Sequence, residues 1–206
     1  MLHTPALGIA LLLAATAPAP APGPPARLPA HTRTYRIEFE NEGLPARQKE
    51  LIARYADQIV GWAAGERFSR AASEQNGKSM TLARIREIDR AWQGGADPEG
   101  LATTLVKNDC ARALAAILVA NPGYGEAFVT DSQGALVCMT RRTSDYWQGD
   151  EAKWTRAWAG GSGAVFVSKV AHDDSTDTDL MHISAPITIG GHLVGVLIVG
   201  KLLTAG

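Results

Sequence analysis

Residues 180–202 read LMHISAPITIGGHLVGVLIVGKL, and their pattern is the strongest structural signal in the sequence. Aliphatic and β-branched residues fill two segments, Leu180–Pro186 and His192–Leu202, and Gly190 and Gly191 between them are a strong signal for a hairpin turn. The second segment is apolar on both faces, as a central strand is, and its roughly 11 residues fall well short of the roughly 20 that a transmembrane helix needs. We therefore predict two neighbouring antiparallel strands at the centre of a sheet.

Three more strands are predicted upstream of this hairpin. Ala127–Thr130 and Leu136–Thr140 flank a D-S-Q-G turn, in which the glycine stands where a positive φ is easiest. The third is Ala164–Ala171, and it follows a helix that the aromatic spacing predicts over Thr143–Trp158. The predicted sheet therefore has five strands.

The first half of the chain has helical periodicity instead. Apolar residues recur at three- and four-residue steps over Pro45–Arg67, which predicts one long amphipathic helix, and again over Thr81–Trp92. A third helix is predicted to begin at Asp97, a good N-cap residue, and to stop at Asn121. Because helices followed by strands are typical of an α+β fold, we predict one domain over residues 34–206, with helices at 34–122 packed on a five-stranded antiparallel sheet at 123–206.

Residues 1–33 have a different composition. Residues 1–26 contain no Lys, Arg, Asp or Glu, and Ala6–Ala17 is an apolar run of the length of a signal-peptide core. Each A-x-A cleavage candidate that follows stands next to a proline, which would hinder a peptidase, so a disordered leader on a cytosolic protein stays an alternative. We predict a signal peptide at residues 1–22, a proline-rich linker at 23–33 and export to the periplasm.

Composition excludes several classes of protein and site. The 20 Lys and Arg against 21 Asp and Glu provide no basic field for nucleic acid, and two cysteines cannot form a four-cysteine zinc site. In an exported protein Cys110 and Cys138 could form a disulfide, and two inert buried thiols fit their apolar surroundings equally well. We expect no cofactor and no metal.

The second half of the chain resembles a known family in five spaced segments. They are AFVTDSQGALV (127–137), TSDYWQGDEAKW (143–154), VSKVAHDDST (167–176), HISAPI (182–187) and GGHLVGVLIVG (190–200). Together they look like a bacterial Cache (PDC, PAS-like) extracytoplasmic sensor domain of the single-Cache type. The resemblance implies a long N-terminal helix, a five-stranded antiparallel PAS-like sheet and a small-molecule pocket between the concave face of the sheet and the short helix. It also implies a homodimer through the helix at residues 45–67.

Members of that family are usually tethered to a kinase, a cyclase or a chemoreceptor, and we expect no such output domain here. We therefore expect a free-standing exported module that senses a small ligand and relays its occupancy to a separate membrane receptor or kinase. An interaction module with a vestigial pocket and a periplasmic hydrolase are the alternatives, although no nucleophile elbow, HExxH motif or P-loop is present.

Most candidate ligand-binding residues lie in the short predicted helix. Aromatic side chains can wall a pocket, an arginine can hold a carboxylate and an acid can hold an ammonium group, so we expect an amino acid, an amine or an organic acid as ligand. Asp145 has the alternative role of a helix N-cap, and Trp154 with Trp158 that of a packing stripe. The residues chosen are Arg142 (with Arg141 as its alternative), Asp145, Tyr146, Trp147, Asp150 and Trp154.

Two further candidates lie on the predicted strands. The resemblance implies that Asp173 faces the pocket, whereas the acidic run that it begins otherwise indicates a solvated loop whose spacing does not match a calcium loop. His182 alternates with Met181 and Ile183, so it faces away from both, into the pocket or into solvent.

Overall fold

The structure places the predicted hairpin at the centre of the sheet. The computed structural model describes residues 34–97, 100–173 and 178–203. Within them, strand β6 (Thr178–Ile189) pairs antiparallel with β7 (His192–Leu202). The turn residues Gly190 and Gly191 have φ values of 56° and 83°, and these left-handed values are what a two-residue hairpin turn needs.

The five predicted strands form an antiparallel sheet, and two short strands extend it. The other strands are β1 (Ile37–Phe39), β2 (Tyr124–Thr130), β3 (Leu136–Met139), β4 (Val165–Val167) and β5 (Ala171–Asp173). The order across the sheet is β1, β4, β6, β7, β2, β3, and β5 pairs with β6. β1 runs parallel to β4, and the sequence analysis missed it because three residues carry too little periodicity. The α+β class is confirmed.

The single strand predicted at Ala164–Ala171 is wrong, because β6 pairs with two separate strands there. Between β4 and β5, the side-chain oxygen of Ser168 accepts the hydrogen bond from the backbone amide of His182 (2.9 Å). A side chain thus takes a place in the ladder that a backbone carbonyl would hold, and the strand is interrupted.

Two of the predicted helices are divided in the structure. The helices of the first half are α1 (Ala46–Ala63), α2 (Glu66–Gly77), α3 (Leu82–Gln93), α4 (Leu101–Lys107) and α5 (Asp109–Ala120). The first predicted helix ends early because Gly65 adopts an extended conformation and begins α2. The third is interrupted at Asn108, whose side chain accepts from the Ala111 amide (2.8 Å) and donates to the Val137 carbonyl on β3 (3.0 Å). None of the helices in the described ranges combines the length and the apolar character needed to cross a membrane.

The helix predicted over Thr143–Trp158 is wrong for its first half. Only α6 (Ala152–Trp158) is an α-helix, and Trp147 forms an isolated bridge with Ala135 instead. The carboxylate of Asp89 on α3 accepts hydrogen bonds from the backbone amides of Tyr146 and Trp147, at 2.9 and 3.0 Å. These amides are satisfied without a helix, by an acceptor that local periodicity cannot reveal.

Helices cover both faces of the sheet. On the face that we call the α1 face, strand residues pack against α1, α2 and α5, and on the α6 face they pack against α3, α4 and α6. A disulfide between Cys110 and Cys138 joins α5 to β3, so of the two alternatives the bond is the one observed. The α1 face consists of Ala127, Val129, Val165, Ile183, Leu197 and Val199, and the α6 face of Phe128, Phe166, Ser184, Val196 and Ile198.

Candidate functional site

α6 lies across β4, β6 and β7 on the α6 face of the sheet. Trp154 and Trp158 are one turn apart, and their rings stack with centroids 5.4 Å apart and planes 9° apart. Ala157 is fully buried against the sheet. The helix ends at Ala159, which has a φ of 47°, and a run of glycines follows. The short helix is therefore packed on three strands, with Ala157 and the two tryptophans in its apolar contact with the sheet.

The sheet below α6 presents a row of side chains from four strands. Residues paired in register on adjacent strands point to the same side of a sheet. The row consists of Phe166 on β4, Ser184 on β6, Ile198 on β7 and Phe128 on β2. All four are buried, and with Ala157 they fill the centre of the space below the helix. The described part of the chain has cavities of 440, 360 and 390 Å³, and no residue of α6 lines any of these three.

Two cations of α6 lie over aromatic rings of the sheet. The Lys153 ammonium is 5.8 Å from the ring centre of Phe128, and the Arg156 guanidinium is 4.6 Å from that of Phe166. Arg156 also pairs with Glu38 on β1. Lys153 is half-buried and has no acid partner among the residues that the structure describes, so a ring face is what offsets its charge.

Two buried polar atoms near this row have no hydrogen-bond partner. They are the indole nitrogen of Trp154 and the hydroxyl oxygen of Ser184. A buried polar group without a partner destabilises a fold by about 1–3 kcal/mol, and such groups are rare in native proteins. Both atoms can donate a hydrogen bond, and they come from the helix and the strand that face each other.

A polar row of three side chains crosses the sheet beside the aromatic row. The imidazole Nε2 of His182 is 2.8 Å from one carboxylate oxygen of Glu126, and the Arg141 Nε is 3.4 Å from the other. His182 and Glu126 are on strands separated by β7, and they meet over Gly200, where a Cβ atom would lie 3.0 Å from the Glu126 side chain. Glycine at this position therefore permits the pair, and His182 faces the α6 side.

Arg142 and Asp145, both predicted to bind ligand, lie at the end of α3. The Arg142 guanidinium stacks 4.2 Å from the ring centre of Trp92 and donates to the carbonyls of Trp92 (3.0 Å) and Ala96 (2.8 Å). The Asp145 carboxylate accepts from the Gln93 side chain (2.7 Å). Arg142 and Asp145 thus bind the segment after β3 to the end of α3, and these contacts involve no residue of α6.

Tyr146 and Trp147 lie in the same segment. Tyr146 is buried and lines the 360 Å³ cavity between α2, α3 and α4; burial and the nearby Asp131 carboxylate raise its pKa to about 12. Trp147 is half-buried, donates its indole N–H to the Gln133 carbonyl (2.7 Å) and carries the Arg86 guanidinium 4.6 Å from its ring centre. Their polar groups thus serve contacts within the fold.

The predicted residues do not form one cluster. Trp154 and His182 come to the α6 face, whereas Asp150 is exposed in the loop before α6. Asp173 belongs to β5, and its side chain lies outside the described residues. Over the ranges that the structure describes, no three His, Cys, Asp or Glu side chains are arranged to hold a metal.

The sequence analysis missed three residues that organise this region. Asp89 looked like an ordinary polar residue of a helix, yet it is buried and holds two backbone amides. Lys153 and Glu126 carry no local signal either, because the direction of each side chain depends on how α6 and β2 pack.

No protein-family model and no curated protein matches this chain. Among solved structures it is similar to the ligand-binding domain of the Pseudomonas aeruginosa amino-acid chemoreceptor PctC in complex with GABA, at 20% identity over 64% of this chain and 62% of that chain, with a TM-score of 0.38. It is also similar to the ligand-binding domain of the Campylobacter jejuni chemoreceptor Tlp3 in complex with 4-methylisoleucine, at 11% identity over 78% and 64%, with a TM-score of 0.39.

A third similar structure is the sensor domain of the Vibrio cholerae histidine kinase DctB, at 12% identity over 75% of this chain and 57% of that chain, with a TM-score of 0.33. The chain spans less than two thirds of the length of each of these three structures.

Proposed function

We propose that this domain is a Cache-like sensor module that binds a small carboxylate between α6 and the α6 face of the sheet, without catalysis. The observation that carries the proposal is the pair of buried, unpartnered donors, the Trp154 indole N–H and the Ser184 hydroxyl. Lys153, a cation without an acid partner in the described part of the chain, stands next to Trp154 on α6. Together they offer donors and positive charge to one ligand group.

A carboxylate fits this set better than an amine does. An ionised carboxylate only accepts hydrogen bonds, and the three groups that await a partner are an ammonium, an indole N–H and a hydroxyl. An amine would need an acceptor, and two acids on the α6 face already have cationic partners. Glu126 pairs with His182 and Arg141, and Glu38, in register with Phe166, pairs with Arg156. The rings of Phe128 and Phe166 would provide apolar walls. We therefore favour an organic acid over an amine.

Binding would require α6 to move, because side chains fill the centre of the space below it. We propose that the backbone changes conformation in the segment after α6, where Ala159, Gly160, Gly161 and Gly163 have positive φ values of 47°, 64°, 92° and 72°. Three of these four residues are glycines, which adopt many backbone conformations at little cost. A ligand that binds only the open arrangement would shift the population of α6 toward it. We propose that this shift is the signal that a separate membrane receptor or kinase reads.

We also propose that the protein works in the periplasm, after removal of the leader predicted at residues 1–22. The disulfide between Cys110 and Cys138 supports this, because disulfides persist in oxidising compartments and are rare in the cytosol. The homodimer through residues 45–67 that the resemblance implies stays part of the proposal, and sedimentation of the purified domain would test it.

A thermal-shift screen tests the binding proposal. We expect one or more mono- or dicarboxylates to raise the Tm by mass action, and matched amines not to. Lys153→Met and Ser184→Ala should each remove that rise while the protein stays folded. Lys107→Met is the control, since this exposed lysine lies at the end of α4 and not on α6. An amine that raises the Tm where carboxylates do not, or variants that respond like the control, would contradict the proposal.

One observation favours a second candidate function, an interaction module whose pocket is vestigial. Ala157 of α6 and the strand residues Phe166 and Ile198 below it are fully buried, as side chains of a well-packed hydrophobic core are. If this candidate is right, no carboxylate will change the Tm, and binding to a partner will instead depend on the exposed side of α1. Saturable turnover of an ester, phosphate or amide would favour the hydrolase alternative over both.

A further inference from the structure

The α1 face carries a groove that the proposed sensor site does not use. It lies between the first turns of α1, the end of β7 and the segment that joins β4 to β5, and its volume is about 390 Å³. Small-molecule sites in proteins typically have volumes of about 300–1,000 Å³. The groove therefore has the size of a ligand site.

Exposed apolar side chains gather in this groove. Leu51, Val170 and Leu203 line it, and 51%, 50% and 41% of their surface is exposed. Among the described residues, six large hydrophobic side chains are exposed, so half of them lie here. Single exposed hydrophobic residues need no explanation, whereas a cluster of them marks a binding surface.

The charged residues of the groove are all cations. Lys169 and Lys201 line it, and its lining among the described residues includes neither Asp nor Glu. The Lys201 ammonium lies 5.0 and 5.2 Å from the ring centres of Tyr55 and Tyr124, and it donates to the carbonyls of Gly123 (2.8 Å) and Leu202 (3.1 Å). Loss of hydration lowers the pKa of Lys201, and an anion beside its ammonium would offset that loss.

We infer that this groove binds an aliphatic carboxylate, with the acid group at Lys201 and the hydrocarbon chain along Leu51, Val170 and Leu203. One anionic head and one apolar tail match one partly desolvated ammonium and one apolar surface. A purely apolar ligand would place no negative charge beside Lys201, and a small dianion would leave the apolar surface exposed. The inference does not depend on the proposed function, because Lys201 pairs with Met181 and faces α1, on the side of the sheet opposite α6.

Isothermal titration of the purified protein with octanoate and with octylammonium tests this inference. Octanoate should bind saturably, and octylammonium about tenfold more weakly or not at all, because the sign of its charge is wrong for Lys201. Lys201→Met should weaken octanoate binding about tenfold. Since Lys201→Met also removes hydrogen bonds within the fold, Val170→Ser is the second variant, and it should weaken binding without changing the near-UV circular dichroism.

Two control variants distinguish this groove from the rest of the protein surface. Val119→Ser removes an exposed apolar residue that does not line the groove, so it should leave octanoate binding unchanged. Lys107→Met removes an exposed lysine that does not line the groove either, and it should also leave octanoate binding unchanged. Equal binding of octanoate and octylammonium, or full binding by both groove variants, would overturn the inference. A dimer that Val170→Ser dissociates, with no octanoate binding, would show that a second copy occupies the groove instead.

Discussion

The two faces of the sheet are both buried, yet they are built differently. The α1 face carries aliphatic side chains packed against α1, α2 and α5. The α6 face carries aromatic rings with cations above them, a polar row through His182, and the buried hydroxyl of Ser184 without a partner. A buried hydroxyl without a partner destabilises a fold. In our proposal the centre of the α1 face, away from the groove at Lys201, contributes to stability, whereas the α6 face gives up some stability for the proposed binding.

Ile183 and Ser184 are the sharpest comparison, because these neighbours on β6 are both fully buried and face opposite sides. We expect Ile183→Ala to lower the free energy of unfolding by about 3 kcal/mol, through lost burial and the cavity that it leaves. Urea unfolding followed by circular dichroism measures this. A loss below about 1 kcal/mol would show that the α1 face can collapse around the gap and is not the rigid side.

The second prediction concerns the segment around Tyr146 and Trp147, whose backbone is held by the Asp89 carboxylate. Asp89→Ala removes the acceptor of the Tyr146 and Trp147 amides, and we expect a loss of about 2 kcal/mol. Hydrogen exchange should show faster exchange of those two amides. Asp150→Ala, at an exposed position, is the control and should change nothing. If exchange at both amides stays slow in Asp89→Ala, packing rather than this carboxylate fixes the segment.

Arg156 tests whether a cation on the α6 face contributes to stability. Arg156→Met loses the contact with the Phe166 ring and the pair with Glu38, so we expect a loss of about 1 kcal/mol in thermal or urea unfolding. Arg54→Met removes an exposed cation of α1 that pairs with Glu50, and it should cost almost nothing. Equal effects of the two variants would mean that the cations of the α6 face are ordinary surface charges.

Ser184→Ala should have the smallest effect on stability of these variants. Its hydroxyl has no partner, so removing it loses no hydrogen bond and removes a buried polar group. We expect the free energy of unfolding to stay within about 0.5 kcal/mol of wild type or to rise slightly. A loss above about 1 kcal/mol in urea unfolding would mean that the hydroxyl is bonded in solution and does not await a ligand.

Much of the fold could be predicted from the sequence, because its signals are local. The predictions of the Gly190-Gly191 turn and of the apolar strand β7 are confirmed. Both depend on residues that are neighbours in the sequence. The helix at Thr143–Trp158 failed because a carboxylate on a distant helix, that of Asp89, takes the amides that it would need. Aromatic spacing cannot reveal such a partner.

The candidate site was predicted less well than the fold. Trp154 and His182 were predicted because an aromatic helix residue and a strand histidine stand out in the sequence, and both lie on the α6 side of the sheet. Arg142 and Asp145 have the charges that an amino-acid ligand needs, but their segment packs on α3. That packing depends on tertiary contacts, which the sequence does not reveal. Lys153 was missed because nothing local says that its ammonium turns over Phe128.

The indole resonances in a ¹⁵N–¹H spectrum test whether a carboxylate binds at the Trp154 indole N–H. The chain has 5 tryptophans, and each indole N–H gives its own resonance. The Trp92 and Trp147 indoles already donate to the carbonyls of Thr143 (2.8 Å) and Gln133 (2.7 Å), whereas the Trp154 indole has no acceptor. Titration with the carboxylate that raises the Tm most should move the Trp154 resonance, assigned with Trp154→Phe, in a saturable way, and leave those of Trp92 and Trp147 in place. A Trp154 resonance that stays still, or a screen in which no carboxylate raises the Tm, would contradict the account.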